Sequence, residues 1–137
     1  MKKRAPVSQI MSTDILTVNL TQNLRDVDAL LKDQAIRHLP VVSGEKVIGM
    51  LSKTDLQRIS FVNSAEGEQV TTTMYDSLTI NQVMTKDVIT VDKEDTILDV
   101  ATIFSKNEFH ALPVTEAGKL VGIVTTTDLV KYLIDQY

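Results

Sequence analysis

The 137-residue sequence predicts an α+β fold of two tandem β-α-β-β-α units, packed sheet to sheet with pseudo-two-fold symmetry. Two observations carry this prediction: the chain matches itself at a spacing of 73 residues, and both copies show the same order of predicted elements. Without a gap, 15 of the 48 positions from 9 to 56 are identical to those from 82 to 129. One unit of this size is marginally stable alone, and pairing two sheets would bury the bare face of each.

Each unit is predicted to begin with a short helical turn, at residues 7–11, followed by a strand rich in apolar and β-branched residues at 14–18. Apolar residues then recur at helical spacing behind a polar residue, Asn23, and this pattern predicts an N-capped helix. The same elements recur 73 residues later, with a strand at 87–91 and Thr96 at the start of the helix.

A hairpin follows the helix in each unit. In the first copy its strands are predicted at 39–42 and 46–51, around the turn Ser43-Gly44-Glu45. Pro40 cannot donate to a ladder, so it indicates a strand start or an edge. A last helix is predicted from Lys53. The equivalent elements of the second copy are the strands 112–115 and 119–124 and a helix from Thr126.

The repeat predicts domain boundaries at 7–62 and 80–137, with a linker at 63–79. Ser64 to Thr73 is polar and has no apolar periodicity, so we interpret it as an exposed connecting loop.

Composition excludes several classes of function. The chain has no Cys, which removes disulfides and thiolate chemistry and is consistent with a reducing compartment, so a cytoplasmic protein is predicted. A net charge of −4 argues against nucleic-acid binding. No apolar run approaches the ~20 residues of a membrane-spanning helix. We find no phosphate-binding loop motif, nucleophile–base pair or metal cluster, and predict neither an enzyme nor a metal site.

The sequences Ser52-x-x-Asp55 and Thr125-x-x-Asp128 stand at the same place in the two copies. One interpretation is a capping box, in which the hydroxyl and the carboxylate satisfy backbone N–H groups at a helix start. The other is ligand binding: a carboxylate has two oxygens and can accept from both hydroxyls of a ribose. The helix N-terminus beside it would then favour a phosphate. Both interpretations can hold together.

The arrangement resembles the CBS domain pair, or Bateman module, over residues 7–62 and 80–137. The resemblance is carried by two complete sets of motifs in order: Gln-hydrophobic-Met, Asp-hydrophobic-hydrophobic-Thr-Val, Leu-Pro-Val, and Gly-hydrophobic-hydrophobic-Ser/Thr-x-x-Asp-Leu. It implies a regulatory module that binds AMP, ADP, ATP or S-adenosylmethionine in the clefts between the units. It also implies a homodimer.

The resemblance assigns further binding residues. Thr17 and Thr90 would touch the nucleoside, and Arg37, His38 and His110 would meet phosphates. Arg suits this role because its fork binds bidentately and stays charged. Ordinary structural roles remain open for the Thr and His residues. Apolar residues near the predicted site would form an adenine slot or belong to the core: Ile15, Val41, Met50, Val88, Val114 and Ile123.

The two copies differ in charge. Where the first has His38 and Lys53, the second has Ala111 and Thr126. If only one cleft takes a phosphorylated ligand, we therefore expect it to be that of the first copy.

Two functions are compatible with the sequence. The first is a sensor in which the bound ligand changes the arrangement of the units and passes the change to a separate, unknown effector protein. The alternative is a ligand-free module for dimerisation or protein interaction, in which Asp55 and Asp128 only cap helices.

Overall fold

The computed structural model describes residues 4–63 and 75–137, so the predicted loop at 64–73 lies outside the described residues. The chain divides into two compact units. The first unit is Leu16–Val88, and the second combines Met1–Ile15 with Ile89–Tyr137. The predicted boundaries follow the sequence repeat. Each compact unit instead combines most of one repeat with the entering turn of the other repeat. The boundaries stay a prediction.

The described part of the first unit contains one antiparallel hairpin and several helices. In chain order its elements are α1 (Leu24–Asp33), β1 (His38–Ser43), β2 (Lys46–Ser52), α2 (Lys53–Asn63) and α3 (Ile80–Val83). The apolar face of α1 packs its buried residues onto β1 and β2, as the helical spacing predicts. Leu39 and Leu51, which face each other in the hairpin, are fully buried in this core.

The second unit repeats this plan around a core of its own. Its elements are a 3₁₀ turn (Val7–Gln9), β3 (Val91–Asp92), α4 (Ile97–Ser105), β4 (Ala111–Glu116), β5 (Lys119–Thr125) and α5 (Thr126–Asp135). The α+β fold class, the two hairpins and the predicted helices are confirmed.

The strands predicted at 14–18 and 87–91 are much shorter than expected. Only Val18 pairs in the first unit, through one parallel bridge to Val41, and only Val91–Asp92 forms a strand in the second. The Val18 N–H donates to the Pro40 carbonyl at 3.0 Å. The next bond of a parallel ladder would come from the N–H of residue 40, and proline has none. Pro113 ends the equivalent ladder in the same way.

In each repeated motif, the glycine lies where another segment of the chain approaches too closely to leave room for a Cβ atom. A Cβ on Gly49 would collide with the side chain of Met84 and lie 3.1 Å from the Thr85 carbonyl oxygen. The Met50 N–H donates to that carbonyl at 3.1 Å, and the Thr85 N–H donates back at 2.9 Å. The turn that enters the second sequence repeat thus completes the sheet of the first unit. Residues 11 and 12 do the same at Gly122 in the second unit.

Replacing Ala117 by Gly is expected to raise the free energy of unfolding by about 0.5–1 kcal/mol. Ala117 has a φ of +51°, next to Gly118 at +81°, in the two-residue loop between β4 and β5. Left-handed backbone costs a non-glycine residue about 1–2 kcal/mol, and the entropy that glycine gains in the unfolded chain offsets part of the relief. The matched position of the other hairpin already carries Gly44. Urea denaturation would measure the change, and an unchanged or lower midpoint would contradict it.

Within residues 4–63 and 75–137, no helix has both the length and the apolar character needed to cross a membrane.

Candidate functional site

The junction between the hairpin and α2 gathers most of the predicted residues of the first unit. His38 begins β1 and pairs with Ser52, the last residue of β2. The Lys53 N–H, at the start of α2, donates to the Arg37 carbonyl at 2.8 Å. These contacts bring together four predicted site residues, which we call the hairpin–helix corner: Arg37, His38, Ser52 and Lys53. Asp55 lies within the first turn of the helix.

The second unit builds the same corner with different side chains. Ala111, at the start of β4, pairs with Thr125 at the end of β5. The Thr126 N–H donates to the His110 carbonyl at 3.0 Å. The backbone geometry is thus repeated.

Both aspartates of the repeated motif form the predicted capping boxes. The Ser52 N–H donates to Asp55 Oδ2 at 2.9 Å, and the Asp55 N–H donates to Ser52 Oγ at 3.1 Å. In the second unit, the Thr125 N–H and hydroxyl donate to Asp128 Oδ2 at 2.8 and 3.1 Å, and the Asp128 N–H donates to Thr125 Oγ1 at 3.2 Å. The capping interpretation of these motifs is confirmed.

A capping box alone does not mark a binding site in this chain, because the other helices have one as well. Asn23 with Asp26 caps α1, and Thr96 with Asp99 caps α4. The backbone N–H and then the hydroxyl of Thr96 lower the pKa of Asp99. These two carboxylates are exposed at the surface.

Asp55 and Asp128 differ from these in burial. Both are half-buried, and each uses Oδ2 for its cap. In the part of the chain that the structure describes, the second oxygen of each, Oδ1, has no hydrogen bond. A half-desolvated carboxylate with one oxygen available at a helix N-terminus can accept from a bound hydroxyl while keeping its cap.

Thr17 and Thr90 lie on the far side of the central strand from the capped aspartates. Thr17 precedes Val18, which pairs with β1 on the edge opposite β2. Since neighbouring strands are about 4.8 Å apart, at least two strand spacings separate Thr17 from Ser52, more than a hydrogen bond spans. Thr90 has the equivalent place beside β4.

The charge difference predicted between the units is present at the two corners. Arg37 and Lys53 are exposed beside the first capped aspartate. At the matched places the second unit has His110, which is exposed, and Thr126. The first corner therefore combines two basic side chains with a helix N-terminus, a suitable environment for a phosphate.

Three of the six candidate adenine residues belong to the cores. Val41, Met50 and Val114 are buried, whereas the other three are half-buried. Sequence reasoning passed over Leu16 and Ile89, which directly precede the two threonines and are exposed. Their equivalent places in the two repeats could have marked them as candidate binding residues. An apolar residue in a predicted strand, however, usually indicates a core position and not an exposed one. They offer apolar surface to a flat ring.

One surface cavity of the first unit includes none of the predicted site residues. It is lined by Arg25, Asp28, Ala29, Lys32, Asp33 and Tyr75. Among the residues that the structure describes, no group of three His, Asp or Glu side chains is placed to hold a metal ion.

The chain is similar to several known proteins. It is 30% identical over 117 residues to the inosine-5'-monophosphate dehydrogenase of Korarchaeum cryptofilum, covering 85% of this chain and 22% of that one. It is 31% identical over 133 residues to protein MJ0188 of Methanocaldococcus jannaschii, covering 95% of this chain and 44% of that one. The chain thus spans between about a fifth and a half of the curated relatives it matches.

Among solved structures, the fold matches the CBS domain pair of protein MJ0100, determined in complex with 5'-methylthioadenosine and S-adenosyl-L-methionine. The TM-score is 0.81 at 24% identity, over 97% of this chain and 98% of that one. The family model of the CBS domain matches twice, at residues 7–61 and 80–135. With two matches that cover most of its length, on the repeat and the fold described above, the chain belongs to the CBS domain family.

Proposed function

We propose that this chain is a regulatory module that binds an adenosyl compound at the hairpin–helix corners of its two units. The observation that carries the proposal is the half-buried carboxylate of Asp55 and of Asp128, which caps its helix through Oδ2 and keeps Oδ1 available. A ribose diol would donate to that oxygen, and the adjacent helix N-terminus would face the 5' substituent.

The class of ligand is supported by the complex of the MJ0100 domain pair with two adenosyl compounds. The charges of this chain extend the proposal. Arg37 and Lys53 favour AMP, ADP or ATP at the first corner. The second corner, where Ala111 and Thr126 replace charged or titratable residues, suits an adenosyl group with less negative charge, such as S-adenosylmethionine.

Regulation, and not catalysis, is the proposed output. A ligand shifts the balance between two arrangements of a protein only by the difference in its affinity for them. We propose that binding in the predicted cleft between the units changes their arrangement, and that a separate effector protein and a homodimer partner respond to it.

The alternative is a ligand-free interaction module. It is supported by the capping boxes of α1 and α4, where the same carboxylate geometry occurs outside the proposed site.

Isothermal titration of the whole folded chain with AMP, ADP, ATP and S-adenosylmethionine separates the two functions. The sensor predicts saturable binding of at least one compound, with a rise in the melting temperature, since a ligand that binds only the native state stabilises it. Mass spectrometry of denatured protein would first identify any ligand retained during purification. Absence of binding to all four compounds up to millimolar concentration, by ligand-free protein, would favour the interaction module.

A further inference from the structure

Methionine supplies all the sulfur of this chain, which contains five Met and no Cys. A two-electron oxidation of sulfur by a peroxide therefore falls on a thioether. Three of the methionines lie among the described residues: Met11, Met50 and Met84. Met50 and Met84 are 8% exposed, whereas Met11 is half-buried. Because a peroxide must reach the sulfur in order to react, Met11 is expected to be the most reactive of these three.

The repeat places a second methionine in the same kind of contact. Met11 and Met84 are equivalent at the spacing of 73 residues. Each belongs to an entering turn and lies against the glycine of a repeated motif, Met11 against Gly122 and Met84 against Gly49. Met84 is part of the buried core of the first unit, whereas Met11 only borders the core of the second. One contact therefore has a protected sulfur, and the other an accessible one.

The thioether of Met11 closes a tight contact between the entering turn and β5. A Cβ on Gly122 would lie 2.6 Å from Met11 Sδ, so the sulfur rests on the backbone of the strand. Beside it, the Ser12 N–H donates to the Ile123 carbonyl at 2.8 Å, and the Ile123 N–H donates back at 3.0 Å. Because β5 ends at Thr125, which caps α5, this contact holds the turn on the strand that leads to the second corner.

Oxidation by hydrogen peroxide would change the chemistry of this contact. The sulfur gives an electron pair to one peroxide oxygen, the S–O bond forms as the O–O bond breaks, and the second oxygen leaves as water with the proton of the first. The thioether is oxidised to a sulfoxide, a polar group, and the peroxide is reduced.

The new oxygen has two places to go, and both weaken the contact. An oxygen that stays against Gly122 is an acceptor withdrawn from water, which costs free energy unless a donor meets it. An oxygen that reaches water pulls the side chain away from the strand and from the apolar core that Met11 borders. In either case the entering turn is held less firmly on β5.

We propose that Met11 is an oxidation site for hydrogen peroxide, and that its sulfoxide loosens the entering turn from β5. The modification is reversible, since methionine sulfoxide reductases restore the thioether. The equivalent turn of the first unit stays in place, because Met84 is protected by burial. The proposal requires no ligand, so it stands or fails independently of the adenosyl site.

Peptide mapping tests which methionine reacts. The whole folded chain is treated with hydrogen peroxide, quenched with catalase and digested, and mass spectrometry follows the sulfoxide at each methionine over time. Met11 is expected to react at least about fivefold faster than Met50 and Met84, as its greater exposure predicts. Equal rates for Met11 and Met84 would overturn the proposal.

Thermal unfolding and hydrogen exchange test the consequence. The oxidised wild-type chain should melt at least about 3 °C below the untreated one. The amides of Ser12 and Ile123 should exchange faster, because they pair across the loosened contact. Treatment with methionine sulfoxide reductase should reverse both changes. If a chain with Met11 fully converted melts and exchanges like the untreated one, the sulfoxide does not loosen the turn and the proposal fails.

Met11→Leu separates this residue from the other methionines. Leu keeps the volume and apolar character of Met without its sulfur, so peroxide should leave the melting temperature of this variant unchanged. The matched control is Met84→Leu, in which peroxide should lower the melting temperature as in the wild type. Each variant is compared with itself before and after peroxide, so its starting stability does not enter. A fall in treated Met11→Leu equal to that of the wild type would assign the effect elsewhere and overturn the proposal.

Discussion

Replacing Asp55 by Ala is expected to weaken the binding of a phosphorylated adenosyl ligand by about 10- to 100-fold. The reason is the loss of the carboxylate oxygen that would accept from the ribose, since a hydrogen bond to a charged group contributes about 1.5–3 kcal/mol. The same change removes the carboxylate that accepts from the Ser52 N–H in the α2 capping box, while the bond from the backbone N–H of residue 55 to Ser52 Oγ can remain. It should lower the free energy of unfolding by about 1 kcal/mol. Titration calorimetry measures the first effect, and urea denaturation the second.

Asp26→Ala is the matched control for this prediction. Asp26 occupies the same capping position on α1, with its N–H bonded to Asn23 at 2.9 Å, but it is exposed and outside the proposed site. It should reproduce the loss of stability without the loss of affinity. Equal affinities for the two variants and the wild type would remove Asp55 from the binding site and leave it only a capping role.

The comparison with Asp128→Ala tests the difference between the units. Asp128 has the same geometry as Asp55 but lacks the neighbouring cations Arg37 and Lys53. For AMP or ATP, its replacement should change the affinity much less than that of Asp55. If the two substitutions weaken nucleotide binding equally, the charge difference between the corners does not select the ligand.

Replacing Gly122 by Ala is expected to lower the free energy of unfolding by about 1–3 kcal/mol, the cost of overpacking a tight contact. A Cβ at this position would lie 2.6 Å from Met11 Sδ and 2.9 Å from the Ser12 carbonyl oxygen. The side chain of Met11 can move, but the carbonyl is held, because it accepts from the Ile123 N–H at 3.0 Å. The entering turn would have to shift away from β5. Thermal and urea denaturation would measure the loss.

Two comparisons sharpen this second prediction. Gly49→Ala should cost less, because the nearest backbone oxygen, that of Thr85, would be 3.1 Å from the new Cβ. Combining Gly122→Ala with Met11→Ala removes the side-chain contact and keeps the backbone one, so a double-mutant cycle separates the two causes. Wild-type stability in Gly122→Ala would show that the close approach imposes no constraint.

Periodicity was a reliable guide to the helices. The N-cap residues Asn23 and Thr96 and the apolar spacing behind them are local features, and α1 and α4 begin where these features predict. The strand predicted before each helix is longer than the one observed. A β-branched composition favours a strand, but it does not show that the neighbouring strand contains a proline, which cannot donate the next hydrogen bond of the ladder. That proline, Pro40, is more than twenty residues away in the chain.

The candidate site was also only partly predictable. The residue types of both corners follow from the repeat, since an identical spacing places Ser52 and Thr125 at equivalent helix starts. The burial that distinguishes Asp55 from Asp26 does not follow, because both occupy the same capping position and differ only in what packs around them.

By itself, the sequence determined the duplicated α+β plan, the helix starts and the unequal charges of the two corners, because periodicity, capping and residue type are local properties. Only the tertiary structure decided that the entering turn of each repeat completes the sheet of the other repeat, within one compact unit. It also decided which apolar residues stay exposed on α5. Both depend on contacts between segments far apart in the chain, whose pairing a linear pattern does not encode.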